Sequence, residues 1–436
     1  MKEQSKIPTG KVKRASAFIK TGAKVGGNYL KHYTKKAFNS DLSKEQLHKD
    51  NAEDIFSSLG NLKGSVLKVV QMMSMDKNFL PKEYVEKFTK AQYSAPPLSY
   101  PLVVKTFRKY FGESPESLFD SFSRKAFNAA SIGQVHRATL ADQKLAVKIQ
   151  YPGVGNSVSS DLKIARPIAV ALLDLNEADL DQYMEEVETK LLEETDYGLE
   201  LKRSMEISQA CAELPGVFFP RYYPDYSCAR IITMEWLDGL HLNEFLQTGP
   251  SQELRNEVGQ RLWDFYQFQI HTLQQLHADP HPGNFLFRDD GTVGIIDFGC
   301  VKVLPKSFYE KYFQLINRNL LLDARRKEEL FYELEFLHPA DTKEEKTYFI
   351  KVFGDSIDLL GRPFYEGSFD FGDDAYFESI YQMGESLSRS KKLRASKSGR
   401  GSKHGLYLNR TYFGLYNILN HLKAHIKTDN WMVVSQ

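Results

Sequence analysis

No long apolar run occurs in this 436-residue chain. The longest candidate, residues 164–175, falls short of the ~20 residues a membrane-spanning helix needs and contains Arg166 and Pro167. The N-terminus lacks an apolar h-region, so a secretory signal is not expected. Cysteine is scarce. Cys211, Cys228 and Cys300 show neither CxxC nor CxxxH spacing, which argues against a zinc site and fits a reducing, intracellular setting. A cytoplasmic protein, peripheral at most to a membrane, is the expectation. Charge of one sign is also lacking: 57 Lys and Arg offset 56 Asp and Glu, for a net +1, which excludes a globally basic nucleic-acid binder. No internal repeat is visible. What is present is a hydrophobic content of 42% and a length beyond one ordinary domain, so a real core and two lobes are expected.

The first forty residues differ from the rest. Lys2, Lys6, Lys11, Lys13 and Arg14 begin a basic series that runs to Lys36 with almost no acid before Asp41, and Phe18, Ile19, Tyr29, Leu30 and Tyr33 are interspersed at loosely helical spacing. Such a helix either lies on an anionic membrane surface or docks on its own protein with its lysines in solvent. Residues 45–93 read as helical, with Lys68 and Gln71 three apart on one face. Short helices are expected over 102–110 and 115–122. Strands follow over 125–130, 132–140 and 145–150, with Ala141-Asp142-Gln143-Lys144 as a turn. Residues 157–175 and 180–208 read as helices, 218–223 and 229–236 as strands, and 251–275 as one long helix. Residues 307–338 are helical again, and 387–404 form a low-complexity basic loop.

The chemistry concentrates between His277 and Gly299. Asp279 is followed five positions later by Asn284, and Asp297-Phe298-Gly299 comes after a hairpin. This is how a kinase-type site places its base and its two metal ligands. Phe285-Leu286-Phe287 and Val293 to Ile296 are short apolar strands, and Arg288 to Thr292 is turn chemistry, so the hairpin should return Asp297 close to Asn284. Lys148 lies in Leu145-Ala146-Val147-Lys148-Ile149, as does the strand lysine that holds the α- and β-phosphates in kinases. Alternation puts Ala146 and Lys148 on one side of that strand and Val147 and Ile149 on the other. Downstream, Glu194, Asp196 and Glu200 offer it carboxylate partners. Asn128-Ala129-Ala130-Ser131 occupies the slot of a phosphate-binding glycine loop, and Glu235, Trp236 and Leu237 that of a nucleotide-binding hinge.

With these motifs, the chain resembles the UbiB/AarF (ABC1-type) family of atypical, protein-kinase-like enzymes over roughly residues 15–305. The family's lysine-any-glycine-glutamine marker reads Lys68-Val69-Val70-Gln71 here. Its alanine-rich nucleotide loop is Asn128 to Ser131, its Glu-any-Asp motif is Glu194-Thr195-Asp196, and its catalytic loop is nearly literal in His277 to Asn284. The resemblance implies an α+β, two-lobed protein-kinase-like fold: a small antiparallel N-lobe sheet, a helical C-lobe and an N-terminal helical extension. The implied division is a basic segment over 1–44, the extension over 45–122, the N-lobe over 123–238 and the C-lobe over 239–436.

It further implies an Mg-ATP-dependent kinase or ATPase, with Mn²⁺ as the alternative metal, that supports quinone or other isoprenoid-lipid pathways on or near membranes. Asp279 would be the base and Asn284 and Asp297 the metal ligands. Lys148 would pair with Glu200 and hold phosphates. Ala129, Ala130, Ser131, Glu235 and Leu237 would contact nucleotide. Lys68 and Gln71 would reach toward Glu194 and Asp196 and block a protein substrate. Val70 stands where the family has glycine, and Asn128 replaces the loop's first alanine. The short stretch from Cys300 to Pro305 leaves no room for a long activation segment, so protein phosphorylation is not expected. Two other classes share part of the pattern: small-molecule phosphotransferases of the aminoglycoside or choline kinase type, and nucleotide-binding modules without turnover.

Overall fold

The computed structural model describes residues 97–129, 132–173, 177–394 and 400–429, with isolated positions between Lys24 and Glu53. Lys68, Gln71, Ala130 and Ser131, and most of the basic segment and helical extension, lie outside the described residues. The chain divides into two compact units. The first comprises Met1–Leu201 with Arg221–Trp236, and the second Lys202–Pro220 with Leu237–Gln436.

The first unit is built on an antiparallel sheet. Strands β1 (Ser121–Phe122), β2 (Asn128–Ala129), β3 (Gly133–Leu140), β4 (Gln143–Gln150) and β6 (Ile231–Glu235) form it, in the order β1-β3-β4-β6, with β2 also on β3. The separate short strand β5 (Val217–Phe218) belongs to the second unit. A four-residue turn is expected between β3 and β4, but the turn is only Ala141-Asp142. Both residues take left-handed φ (46° and 62°), the backbone that matches the twist of a two-residue hairpin, so the strands run on to Leu140 and Gln143. Of the strand expected over 125–130, only Asn128 and Ala129 are in β2 among the described residues. Leu145, Val147 and Ile149 point to one face and pack with Val103 and Phe107 of helix α1 (Tyr100–Phe111), together with Phe119 and Ile231.

Where the periodicity predicts one helix over 180–208, the chain forms α4 (Glu177–Glu194) and α5 (Tyr197–Ala210); α2 (Pro115–Leu118) and α3 (Val154–Leu173) precede them. The break falls at Asp196, whose side chain accepts from Leu199 N at 3.1 Å and so starts a new helix rather than continuing the old one.

The second unit is mostly helical. Helix α7 (Gln252–Gln267), which follows α6 (Leu242–Gln247), starts at Ser251, whose hydroxyl accepts from Leu254 N. A single helix is expected over 251–275, but α7 ends at Gln267. A π-helical turn follows over Phe268–Leu273, Gln274 turns left-handed (φ 50°), and the chain enters strand β7 (Gln275–His277). Strand β7 pairs with β10 (Val301–Val303), and the hairpin β8 (Phe285–Phe287) with β9 (Val293–Ile295) lies between them in sequence. The strand expected over 218–223 is reduced to β5, because Val217 and Phe218 pair with β9. Among the described residues, seven further α-helices follow: α8 (Lys306–Tyr312), α9 (Arg318–Leu322), α10 (Ala324–Glu333), α11 (Lys343–Leu360), α12 (Asp374–Arg389), α13 (Lys391–Arg394) and α14 (Lys403–Leu422). The basic stretch expected as a loop over 387–404 is thus partly helical, with residues 395–399 outside the described ones. Leu262, Trp263 and Tyr266 of α7 pack in one core with Leu415 and Leu419 of α14 and with Phe285 and Ile295 of the hairpin. Among the described residues, no helix is long and apolar enough to cross a membrane.

Candidate active site

Within the first unit, β4 carries Lys148 on the face opposite Val147 and Ile149. Glu200 sits one turn into α5. Lys148 Nζ lies 2.6 Å from Glu200 Oε1, and the two side chains are 13% and 6% exposed. The fully buried Tyr197 ring flanks the ammonium at 5.2 Å. A buried ion pair repays its desolvation poorly as a source of stability, so its presence here points to a charge held ready for use.

The Glu-Thr-Asp segment places α5. Asp196 caps it, and the Thr195 carbonyl accepts from Gln150 Nε2 and Arg230 Nη1, each at 2.9 Å. Glu194 is buried and Asp196 exposed; the Lys68 and Gln71 expected to meet them lie outside the described residues. On β2, Asn128 and Ala129 oppose Val135 and Gln134, and Asn128 Oδ1 accepts from Ala129 N at 2.9 Å. Gly133 is required by close approach: a Cβ there would stand 2.7 Å from both Ile149 O and Tyr197 Oη. At the expected hinge, Glu235 Oε2 accepts from Arg221 N at 3.1 Å, Trp236 stacks edge-on to Phe127, and Leu237 is partly buried.

The second unit holds the catalytic-type loop. Strands β7 and β10 pin its two ends, with Val301 opposite His277 and Ala278 N donating to Cys300 O at 2.8 Å. His277 is fully buried. Its backbone N donates to Gln269 Oε1, its Nδ1 meets Tyr266 Oη at 3.2 Å, and its ring stands edge-on to Phe298 at 5.5 Å. Burial pushes the Tyr266 phenol well above its usual range, and the nearby Asp279 carboxylate adds to this, so Tyr266 keeps its proton. The Asp279 carbonyl accepts from Asn284 Nδ2 at 2.9 Å and from His281 N at 2.7 Å. Pairing of Phe285 with Ile295, and donation from Ile296 N to Asn284 O at 3.1 Å, bring Asp297 back beside Asn284 as the hairpin pattern predicts. Asp297 Oδ1 accepts from Gly299 N at 2.7 Å, which orients its carboxylate.

The donor set suits a hard cation. Asn284 commits its amide nitrogen to the Asp279 carbonyl, so its oxygen is the donor left for a ligand, and Asp297 adds a carboxylate. Among the described residues, no group of three or more His, Cys, Asp or Glu could hold a metal by itself.

One residue beside the loop carries no sequence signal. Arg410, on α14, places Nη2 3.5 Å from Asp279 Oδ1. Nothing in the spacing of the catalytic loop points to a residue so far along the chain.

The ABC1 atypical kinase-like domain matches residues 90–331. The chain is 29% identical over 388 residues to the mitochondrial atypical kinase COQ8 of Saccharomyces cerevisiae, covering 87% of this chain and 76% of that protein. It is 27% identical over 379 residues to the mitochondrial atypical kinase COQ8B of Rattus norvegicus, covering 85% and 71%. A Mycobacterium tuberculosis protein solved in complex with erythromycin is 26% identical, superposes with a TM-score of 0.59, and is covered to 95% by 88% of this chain.

Proposed function

This chain belongs to the ABC1 family of atypical kinase-like proteins and has their α+β kinase-like fold, and from that premise we propose that it is an Mg-ATP-dependent atypical kinase or ATPase that supports quinone or isoprenoid-lipid metabolism. The observation that supports this reading is the hairpin register, in which Phe285 pairs with Ile295 and Ile296 N donates to Asn284 O, so that Asn284 and Asp297 flank the open end of one hairpin. Mg²⁺, when bound, would neutralise charge on the β- and γ-phosphates. Asn284 and Asp297 would hold it, and Asp279 would orient and deprotonate the attacking hydroxyl or water. In the first unit, Lys148, aligned by Glu200, would hold the α- and β-phosphates. Ala129 and the neighbouring Ala130 and Ser131 would let backbone approach the nucleotide, and Glu235 and Leu237 would flank its base.

Small or lipid acceptors fit better than a protein. After Asp297 the chain passes through β10 and enters α8 at Lys306, with no long segment on which a peptide could dock. The extension around Lys68 and Gln71 would act in the same direction by approaching Glu194 and Asp196.

The test is Mg-dependent stabilisation by ATP, with phosphate release measured with and without anionic vesicles. A ligand that binds only the native state adds about 2.7 kcal/mol at a hundredfold excess over Kd. Asp297→Asn should abolish the Mg-dependent part of this and the turnover. An unchanged Mg-ATP shift in that variant would overturn the metal assignment. Turnover by the wild type only with a small hydroxylated acceptor, and none with water or lipid, would favour a small-molecule phosphotransferase.

A further inference from the structure

The catalytic-type loop, Asp279-Pro280-His281-Pro282-Gly283-Asn284, contains no lysine or arginine. Its backbone is well held. The Asp279 carbonyl accepts two hydrogen bonds, and His281 Nδ1 accepts from Gly283 N at 3.0 Å. These bonds fix where Asp279 starts; they do not set the direction of its carboxylate. A general base must be aimed to within a fraction of an ångström to be effective.

Helix α14 supplies what the loop lacks. Arg410 Nη2 is 3.5 Å from Asp279 Oδ1, with the two side chains 22% and 18% exposed. One turn further along, Gly414 lies against the next residue of the loop. A Cβ on Gly414 would collide with Pro280 Cγ and would stand 3.0 Å from its Cβ and 3.2 Å from its carbonyl oxygen. Positions four apart share a helix face. The same face therefore seats the loop through a missing side chain and reaches its carboxylate with a long one. The rest of α14 is a rigid support: Leu408, Leu415, Leu419 and Leu422 are fully buried in the unit's core.

We propose that Arg410 is a positioning residue for the reaction, holding the Asp279 carboxylate in its working direction on a platform that Gly414 makes possible. This rests on the reading of Asp279 as the base of an Mg-ATP-dependent enzyme. The 3.5 Å separation is that of an ion pair rather than a tight hydrogen bond, so the guanidinium directs the carboxylate without occupying it. Arginine suits the task because its planar fork keeps its charge and presents several donors in fixed directions.

The experiment compares Arg410→Gln, Arg410→Lys and Gly414→Ala with the wild type in Mg-ATP hydrolysis. Arg410→Gln should lower kcat by about tenfold or more while KM stays within about twofold, because aim is lost and nucleotide contacts are not. Arg410→Lys should recover part of the lost kcat. Gly414→Ala should shift Pro280 and lower kcat in the same way. Unchanged kcat in Arg410→Gln overturns the proposal, and so does a loss of kcat in step with KM and melting temperature, which would mark a purely structural contact. Absence of turnover in the wild type would instead sink the enzymatic reading. A crystal structure of Arg410→Gln decides the positioning claim independently of turnover: a turned Asp279 carboxylate on an unmoved loop supports it, and an unchanged carboxylate refutes it.

Discussion

Mild acid should loosen the segment that carries the catalytic-type loop, through His271. This histidine sits in the π-helical turn between α7 and β7. Its Nδ1 meets Tyr309 Oη at 2.8 Å and its Nε2 meets Gln267 Oε1 at 3.0 Å. Burial lowers its pKa from an ordinary 6.5 to about 4. A protonated imidazole would need acceptors on both nitrogens, and Tyr309 would have to give up its role as donor. The sign follows from proton binding. Between the two pKa values the unfolded chain is protonated at this site and the folded chain is not, so stability rises with pH and is lost as pH falls below the unfolded value.

At 1.36 kcal/mol per pKa unit, the loss is about 2 kcal/mol at about pH 5 and about 3 kcal/mol at about pH 4. These are ceilings, because the ring is not completely sealed from water. The assay is urea unfolding at a series of pH values, followed by fluorescence of Trp263, which is fully buried in the same unit. His271→Gln keeps a polar group and removes the titration. The difference in pH dependence between wild type and variant isolates this one site. Parallel curves for the two proteins, or an imidazole that titrates near its ordinary value in a folded-state NMR experiment, would refute the reasoning.

Lys148→Ala should weaken Mg-ATP binding, seen as a reduced thermal shift. Glu200→Gln should do so less, because the lysine's charge remains and only its alignment by the 2.6 Å pair is lost. Arg400 and Asp341 form a two-pronged pair at 2.6 and 2.7 Å with side chains 8% and 5% exposed, so Arg400→Met should cost about 3 kcal/mol in a melting or urea experiment by stranding a buried carboxylate. The same pair holds the Asp341 carboxyl below its ordinary 3.8, chiefly through the Arg400 hydrogen bonds. Its contribution is therefore complete above that pH and lost as pH falls through the lowered value, which an acid titration of wild type against Asp341→Asn will read. Burial pushes the Cys211 thiol up to about 12, so iodoacetamide at neutral pH should label it only on unfolding, as mass spectrometry of the labelled peptide would show. Deleting residues 1–40 should release the protein from anionic vesicles in flotation, with full-length binding that weakens as salt rises; equal flotation of both forms would mark that segment as an ordinary docked helix.

Where the chemistry is local, the sequence alone was enough to nominate the candidate residues and to predict how the chain places them. Asp279, Asn284 and Asp297 are linked by one short hairpin, and its alternation and turn residues dictate a register that leaves little freedom in where the last returns. Lys148 was legible because β4 alternates cleanly, with Val147 and Ile149 buried opposite it. Its partner Glu200 came from the family resemblance, since nothing local links a strand lysine to a helix so far downstream. Element ends were less legible. The split of α4 from α5 depends on one aspartate that caps instead of propagating. The π-helical turn and β7 exist because β10, more than twenty residues away, offers a strand to pair with, and helical periodicity through Leu273 hides that competition. Arg410 could not have been found at all. Its meaning depends on Gly414 admitting Pro280 and on α14 packing beside α7, which are facts of tertiary contact. Local spacing and turn chemistry determine which groups are available; only the packed core decides which distant side chain is held against them.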